Sequence, residues 1–172
     1  MLTMEKARLR DLPAVRRLYG QAFPPEEQLP FWSVWRDSEI WVGRMRGTFA
    51  GFLSLIARGD LVYLFFFAVA PELRGQGLGG KLIEGLKARY PGCRIFLARE
   101  PMDPAAENFP QRQARHRFYS RHGFRDLPLK TEENGYVYKA MGLGGDVAPE
   151  EYTALAAAWN PRLAAALKMR GL

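Results

Sequence analysis

Arg74-Gly75-Gln76-Gly77-Leu78-Gly79-Gly80-Lys81 places four glycines within six residues, between an apolar run and an amphipathic one. A turn of this composition leads a strand into a helix. Its backbone N–H groups point outward, unpaired, beside the positive end of the helix dipole, which makes a site for a phosphate-like anion. Glycine belongs there because a Cβ would block either the close approach of the anion or a turn at positive φ. Gly75, Gly77 and Gly80 satisfy the dinucleotide pattern G-x-G-x-x-G, with Glu100 about twenty residues further on. The run from Gly75 to Lys81 also approaches the nucleoside-triphosphate loop, but Leu82 stands where that loop needs Ser or Thr for Mg²⁺. The dinucleotide pattern wants its first glycine at the strand end, whereas Ala70-Pro71-Glu72-Leu73-Arg74 intervene. A dinucleotide-binding protein stays open as the alternative at this level.

Other chemistry-bearing residues are few. Cys93 is the single cysteine, which excludes an internal disulfide framework and a zinc site built on cysteines. It reads as a small packing residue at a strand start. His116 and His122 lie six apart on one helical stretch and share no face, so no metal is expected. The chain has 172 residues with 25 Lys and Arg against 18 Asp and Glu, a net charge of +7. Of that excess, +6 falls between Leu86 and Arg125, where nine basic residues face Glu100, Asp103 and Glu107. An anionic partner follows: nucleic acid, a membrane surface or a phosphorylated small molecule. The arginines of Pro110–His122 lack the interleaved aromatics of a nucleic-acid reader, so no nucleic acid is expected. The longest apolar run, Leu61 to Pro71, is about half the length of a spanning helix, and Met1 to Arg10 lacks a signal-like apolar core. A cytoplasmic protein with no membrane partner is the expectation.

Several elements must position the turn. Met4 to Arg10 reads as a strand. Leu12, Val15, Leu18, Tyr19 and Ala22 then follow at helical spacing, with Asp11 as N-cap. A short helix is expected over Pro30–Arg36, and a hairpin over Ile40–Met45 and Phe49–Ala57 turning at Arg46-Gly47-Thr48. Leu61–Val69 is a strand buried on both faces. Leu78 to Leu86 is a helix, Ile95–Ala98 a strand parallel to Leu61–Val69, and Glu100–Pro110 a loop. A helix over Pro110–His122 ends at Gly123, before strands at Phe124–Leu129 and Tyr136–Met141. Beyond Leu143-Gly144-Gly145 comes an Ala-rich tail whose apolar face carries Tyr152, Leu155, Trp159 and Leu163, with a kink expected at Asn160-Pro161. The class is α/β (α+β): a mixed, twisted sheet of about six to seven strands flanked by helices. The domain spans 1–142, and 143–172 is a C-terminal helical extension packing on the core or on a partner subunit.

Val69-Ala70-Pro71-Glu72-Leu73-Arg74-Gly75-Gln76-Gly77-Leu78-Gly79 resembles the acetyl-CoA signature of the GNAT superfamily of N-acetyltransferases. That signature is an apolar strand, Val-x-Pro, a spacer, then Arg/Gln-x-x-Gly-x-Gly/Ala opening a helix. A second family landmark, a helix ending in Tyr-x-x-x-Gly-Phe, is matched by Tyr119 to Phe124 about forty residues downstream. The resemblance covers roughly Met4 to Met141. It implies transfer of an acetyl group from acetyl-CoA to a primary amine, with CoA as product and no metal. It implies that the pyrophosphate lies on Arg74, Gly75, Gln76, Gly77, Leu78 and Gly79, with Gly80 and Lys81 adjacent, and that the pantetheine arm runs along Phe67, Ala68 and Val69. A strand bulge near Phe66 or Phe67 would free an N–H to polarise the thioester carbonyl.

On the same resemblance Tyr119 is the general acid, since a phenol can reprotonate a thiolate. Glu100, at the end of Ile95–Ala98, is the candidate base. Where many members carry Asn seven residues before the tyrosine, this chain has Arg112, which is expected to reach a CoA phosphate instead. The loop after the first helix usually lines the acceptor pocket, which assigns Phe23, Glu26 and Glu27 to the acceptor, a small-molecule or peptide amine. A catalytically idle acetyl-CoA sensor is the further alternative, and a monomer or homodimer is expected.

Overall fold

The computed structural model describes residues 1–133, 136–159 and 167–171. These residues form two compact units, Met1–Ile56 with Leu64–Pro91, and Ala57–Tyr63 with Gly92–Leu172.

In the first unit β1 (Leu2–Lys6) pairs antiparallel with β2 (Glu39–Met45), Leu2 opposite Met45 and Lys6 opposite Trp41. β2 pairs antiparallel with β3 (Thr48–Arg58) through the expected hairpin, whose two turn residues, Arg46 and Gly47, both have positive φ. A bulge between Gly43 and Arg44 shifts the register. The order is β1-β2-β3-β4, where β4 is the apolar run Leu61–Val69, which continues into the second unit. The helices α1 (Leu12–Ala22) and α2 (Phe31–Asp37) cover this sheet. Val15, Leu18 and Tyr19 of α1 and Val34 of α2 pack on Ile40, Val42, Phe52, Phe66 and Ala68. Helix α3 (Leu78–Arg89) buries Leu78, Leu82, Ile83 and Leu86.

The first strand is shorter than its pattern suggests. It stops at Lys6, and Leu9–Asp11 forms a 3₁₀ turn. Asp11 is the reason. Its carboxylate accepts the Arg8 N–H at 2.9 Å and pairs with the Arg44 guanidinium, so it closes the turn and makes no side-chain cap to α1. Asp11 is the N-cap residue of α1 as expected, but its carboxylate is spent on Arg8 and Arg44 and not on the first turn of the helix.

In the second unit the first three residues of β4 run parallel to β5 (Arg94–Arg99), Leu61 to Tyr63 opposite Arg94 to Phe96. Helix α4 (Phe109–Arg121) follows β5, and β6 (Arg125–Glu133) follows α4. β5 pairs antiparallel with β7 (Tyr136–Leu143), and β7 with β6, with a register shift between Asp126 and Lys130. Helix α5 (Pro149–Trp159) buries Tyr152 against Tyr63 and Phe96, whose rings stack 4.5 Å apart. Arg94 holds the same helix by pairing with both Asp60 and Glu151. The α/β class and the mixed, helix-flanked sheet are as expected. The tail supplies a strand besides its helix: β8 (Leu167–Gly171) pairs antiparallel with β6. Asn160-Pro161 and Leu163 lie outside the described residues. Among the described residues no helix is long and apolar enough to cross a membrane.

Candidate active site

The glycine-rich turn is built by backbone geometry. β4 ends at Val69, Pro71–Leu73 makes a 3₁₀ turn, and Arg74 is extended. Gly75 and Gly77 have φ of 76° and 72°, the left-handed region that side chains avoid. A Cβ at either would meet no atom within 4 Å, so these glycines are demanded by φ and not by packing. Gly77 is the N-cap of α3, and no side chain caps that helix. The Gly77 carbonyl accepts the Lys81 N–H at 3.2 Å, and buried Leu78 anchors the first turn. The N–H groups of Leu78, Gly79 and Gly80 therefore stand at a helix N-terminus without a capping oxygen, which is the electrostatic requirement for an anion. Exposed Arg74 folds back so that its Nε donates to the Val69 carbonyl at 3.2 Å, and exposed Lys81 follows on the first turn of α3.

The strand leading into this turn is irregular where its chemistry was expected. Consecutive strand residues point to opposite faces. The Phe65 and Phe66 rings nevertheless approach to 4.4 Å, which simple alternation forbids. The backbone departs from a regular strand there, beside the expected bulge at Phe66 or Phe67. Phe66 and Ala68 are buried, Phe67 and Val69 half-buried. β3 must come close to this segment: a Cβ on Gly51 would strike the Ala68 carbonyl oxygen, and Ala70 N–H donates to the Ala50 carbonyl at 2.9 Å.

The loop between α1 and α2 reaches the same part of β4. Phe23 and Tyr19 each meet the Phe66 ring edge-on at 4.9 Å. Gln28 Nε2 donates to the Phe23 carbonyl at 2.6 Å, and the buried Tyr19 hydroxyl both donates to the Leu29 carbonyl and accepts from its N–H. Glu26 and Glu27 occupy the 3₁₀ turn Pro25–Glu27 within this braced loop. The structure thus brings Phe23 to β4. Tyr19, Gln28 and Leu29 are the partners that sequence reasoning missed, because the brace spans ten residues and follows no helical or strand period.

In the second unit Tyr119 lies on the last turns of α4, 7% exposed, with its ring against Phe118 and Phe124. Burial pushes its phenol up to about 12, against a small opposing pull from Arg115. Glu100 and Arg112 are brought together. Glu100 accepts from Asn108 Nδ2 at 2.9 Å and from Arg115 at 2.8 Å, and pairs with Arg112 at 3.3 Å. Arg112 also donates from Nε to Asn108 Oδ1 at 2.7 Å and from Nη1 to the Pro101 carbonyl at 2.8 Å. The Arg112 guanidinium brackets the loop after β5. Asn108, Arg112 and Arg115 lie at spacings of four and three on one helix face, a signal available in the sequence. Below them Asp126 takes Arg99 at 2.6 Å and His116 Nε2 at 3.0 Å. Burial would raise the Asp126 carboxyl, but these two partners hold it below its ordinary value. Among the described residues no group of His, Cys, Asp and Glu converges as metal ligands do.

The comparisons bear on this geometry. The family model described as acetyltransferase (GNAT) domain matches residues 36–126. A GNAT-family protein from Bacteroides thetaiotaomicron superposes with a TM-score of 0.69 at 22% identity, covering 89% of this chain and 93% of that one. The ribosomal-protein-S18-alanine N-acetyltransferase of Escherichia coli gives 0.58 at 22% identity, covering 87% and 97%. A GNAT acetyltransferase of Elizabethkingia anophelis, solved with acetyl-CoA bound, gives 0.62 at 17%, covering 83% and 97%. No curated protein matches the sequence. The solved structures establish likeness of fold, and the family model spans more than half of the chain, so the chain belongs to the GNAT family of acetyltransferases.

Proposed function

We propose that this acetyltransferase moves the acetyl group of acetyl-CoA to a primary amine by direct attack. The uncapped N-terminus of α3, set on two positive-φ glycines just after an irregular stretch of β4, carries the reading. Leu78, Gly79 and Gly80 would hold the pyrophosphate through backbone N–H groups, with Arg74 and Lys81 adding charge. Phe67, Ala68 and Val69 would line the pantetheine arm. Acetyl-CoA supplies an activated acetyl thioester. The irregular backbone at Phe65–Phe66 offers the N–H that stabilises oxygen charge at its carbonyl.

Tyr119 then gives its phenolic proton to the departing sulfur. A phenol near 12 is poorly matched to a solvated thiol, the gap being roughly 5 kcal/mol. The same burial raises the pKa of a thiol lodged beside it, which narrows the gap. Glu100 does not suit the role of base, since two arginines and Asn108 already engage its oxygens. In this reading it positions the loop after β5, and the acceptor loses its proton to solvent.

Calorimetry with acetyl-CoA, CoA and NAD, followed by thiol release with a panel of amines, tests the proposal. Saturable acetyl-CoA binding with amine-dependent thiol release is expected. Binding of NAD in place of acetyl-CoA would make the turn a dinucleotide site. Acetyl-CoA binding with no turnover on any amine would make the protein a sensor.

A further inference from the structure

Four strands of the second unit lie in the order β5-β7-β6-β8, and one row across them is cationic. Arg99 of β5 is opposite Lys139 of β7, and Lys139 is opposite Lys130 of β6. The register continues from Lys130 to Arg170 of β8. Residues directly opposite in antiparallel strands share a face, with Cβ atoms about 5 Å apart. Arg99 turns its guanidinium to Asp126 at 2.6 Å and to the Glu100 carbonyl at 3.0 Å. The other carboxylates of this region also go to guanidinium groups, Glu100 to Arg112 and Arg115 and Asp146 to Arg125. Glu132 stands in the next row, opposite Lys168 of β8. Among the described residues neither Lys130 nor Lys139 takes a carboxylate. Neither ammonium is buried without a partner, so both reach solvent.

Like charges directly opposite one another destabilise a sheet. Lysine guards sheet edges against pairing with other chains, but β6 and β7 are interior strands, so that use does not explain the row. An anion laid across it turns the repulsion into attraction. Two strand spacings, roughly 10 Å, separate Arg99 from Lys130, which is more than one carboxylate or phosphate group spans. Alternate side chains of an extended peptide stand about 7 Å apart, within reach of two flexible lysine stems. Val137, 47% exposed, shares the face of Lys139 two residues along β7 and offers an apolar contact beside the charges. The exposed ring of Tyr136 alternates to the opposite face, where it cannot stack a base lying on the row. We propose that this face of β6 and β7 docks an acidic, extended peptide segment of a protein partner, with Lys130 and Lys139 on its carboxylates and Val137 on an apolar side chain beside them. This docking does not depend on acetyl transfer.

The test is fluorescence anisotropy of the full chain at low salt with a labelled, N-acetylated peptide Glu-Glu-Val-Glu-Glu-Val-Glu-Glu, its Gln-for-Glu counterpart, and octauridylate. The unmodified protein is compared with a double variant, Lys130→Gln with Lys139→Gln. A second double variant, Arg16→Gln with Arg17→Gln, removes two exposed charges of α1 and so changes the net charge equally. The acidic peptide should bind the unmodified protein at least about tenfold more tightly than its Gln counterpart or octauridylate. The lysine variant should lose about tenfold or more of that affinity, and the α1 variant less than about twofold. Relief of the repulsion should also raise the melting temperature of the lysine variant by about 1–3 °C at low salt, a difference that about 1 M salt erases. No binding of the acidic peptide, or undiminished binding in the lysine variant, overturns the proposal. Equal loss in the α1 variant reduces the binding to net charge and overturns it too. Tighter binding of octauridylate makes the row a nucleic-acid site in place of a peptide site. Loss of acetyl-CoA affinity in the lysine variant, read by calorimetry, assigns the row to the cofactor and likewise overturns the docking. A lowered melting temperature contradicts the repulsion from which the row was argued.

Discussion

Tyr119 is held protonated by burial, with a phenol near 12, so through the neutral range it can donate and cannot accept. Replacing it by Phe keeps the ring against Phe118 and Phe124 and removes only the hydroxyl. Tyr119→Phe should lower kcat by about 10²-fold or more, as loss of a general acid does, with unchanged acetyl-CoA affinity. Single-turnover kinetics beside calorimetry separates the two, and an undiminished kcat would remove Tyr119 from the proton path. Gly77 is a second point of residue-scale control. Ala at its φ of 72° is strained by about 1–2 kcal/mol, although space for the methyl is open. Gly77→Ala should therefore lose about that much in denaturant melts and weaken acetyl-CoA binding through the tilted N–H groups of α3.

At the scale of elements, Glu100, Asn108, Arg112 and Arg115 tie the loop after β5 to α4. Glu100→Gln keeps the shape and removes the charge that holds two guanidinium groups. It should reduce kcat less than about tenfold and make residues 100–108 more sensitive to limited proteolysis, with the acidic limb of the pH–rate profile intact. Disappearance of that limb would restore Glu100 as the base. α5 is fastened in a comparable way, by Arg94 reaching Asp60, Glu151 and the Asp146 carbonyl and by Tyr152 in its aromatic cleft.

At the scale of the whole molecule, guanidinium groups hold several carboxylates below their ordinary range. Burial raises the Asp11 carboxyl, but the Arg8 N–H and Arg44 outweigh it. Arg94 lowers Asp60 and, with the Ala148 N–H, Glu151. Asp126 is lowered by Arg99 and His116 against its own burial. Each is a depressed acid, so its contribution is complete above the unfolded pKa and is lost as pH falls through the folded one. Stability should be level near neutrality and decline below about pH 4–5. Asp11, only 4% exposed, should carry a visible share. Asp11→Asn should cost about 2 kcal/mol near neutrality, with the difference shrinking at low pH. A difference in urea melts that stays constant from pH 7 to 3 would contradict the assignment.

Much of this protein was legible in its order of residues. The bounds of β4 follow from an unbroken apolar run, α3 from spacing at Leu78, Leu82, Ile83 and Leu86, and the turn between them from glycines that local φ demands. These features depend on neighbours within about a turn of helix, so composition and spacing determine them. Tertiary structure decided the rest. It turned the Asp11 carboxylate to Arg8 and Arg44 and not to the first turn of α1, and paired Arg112 with Glu100. It added β8 to β6, and set Phe23 against Phe66 across 43 residues. The Arg44, β8 and Phe66 pairings each depend on where a distant segment returns. A charged or aromatic side chain takes the partner that desolvates with it, and local spacing does not say which one that will be.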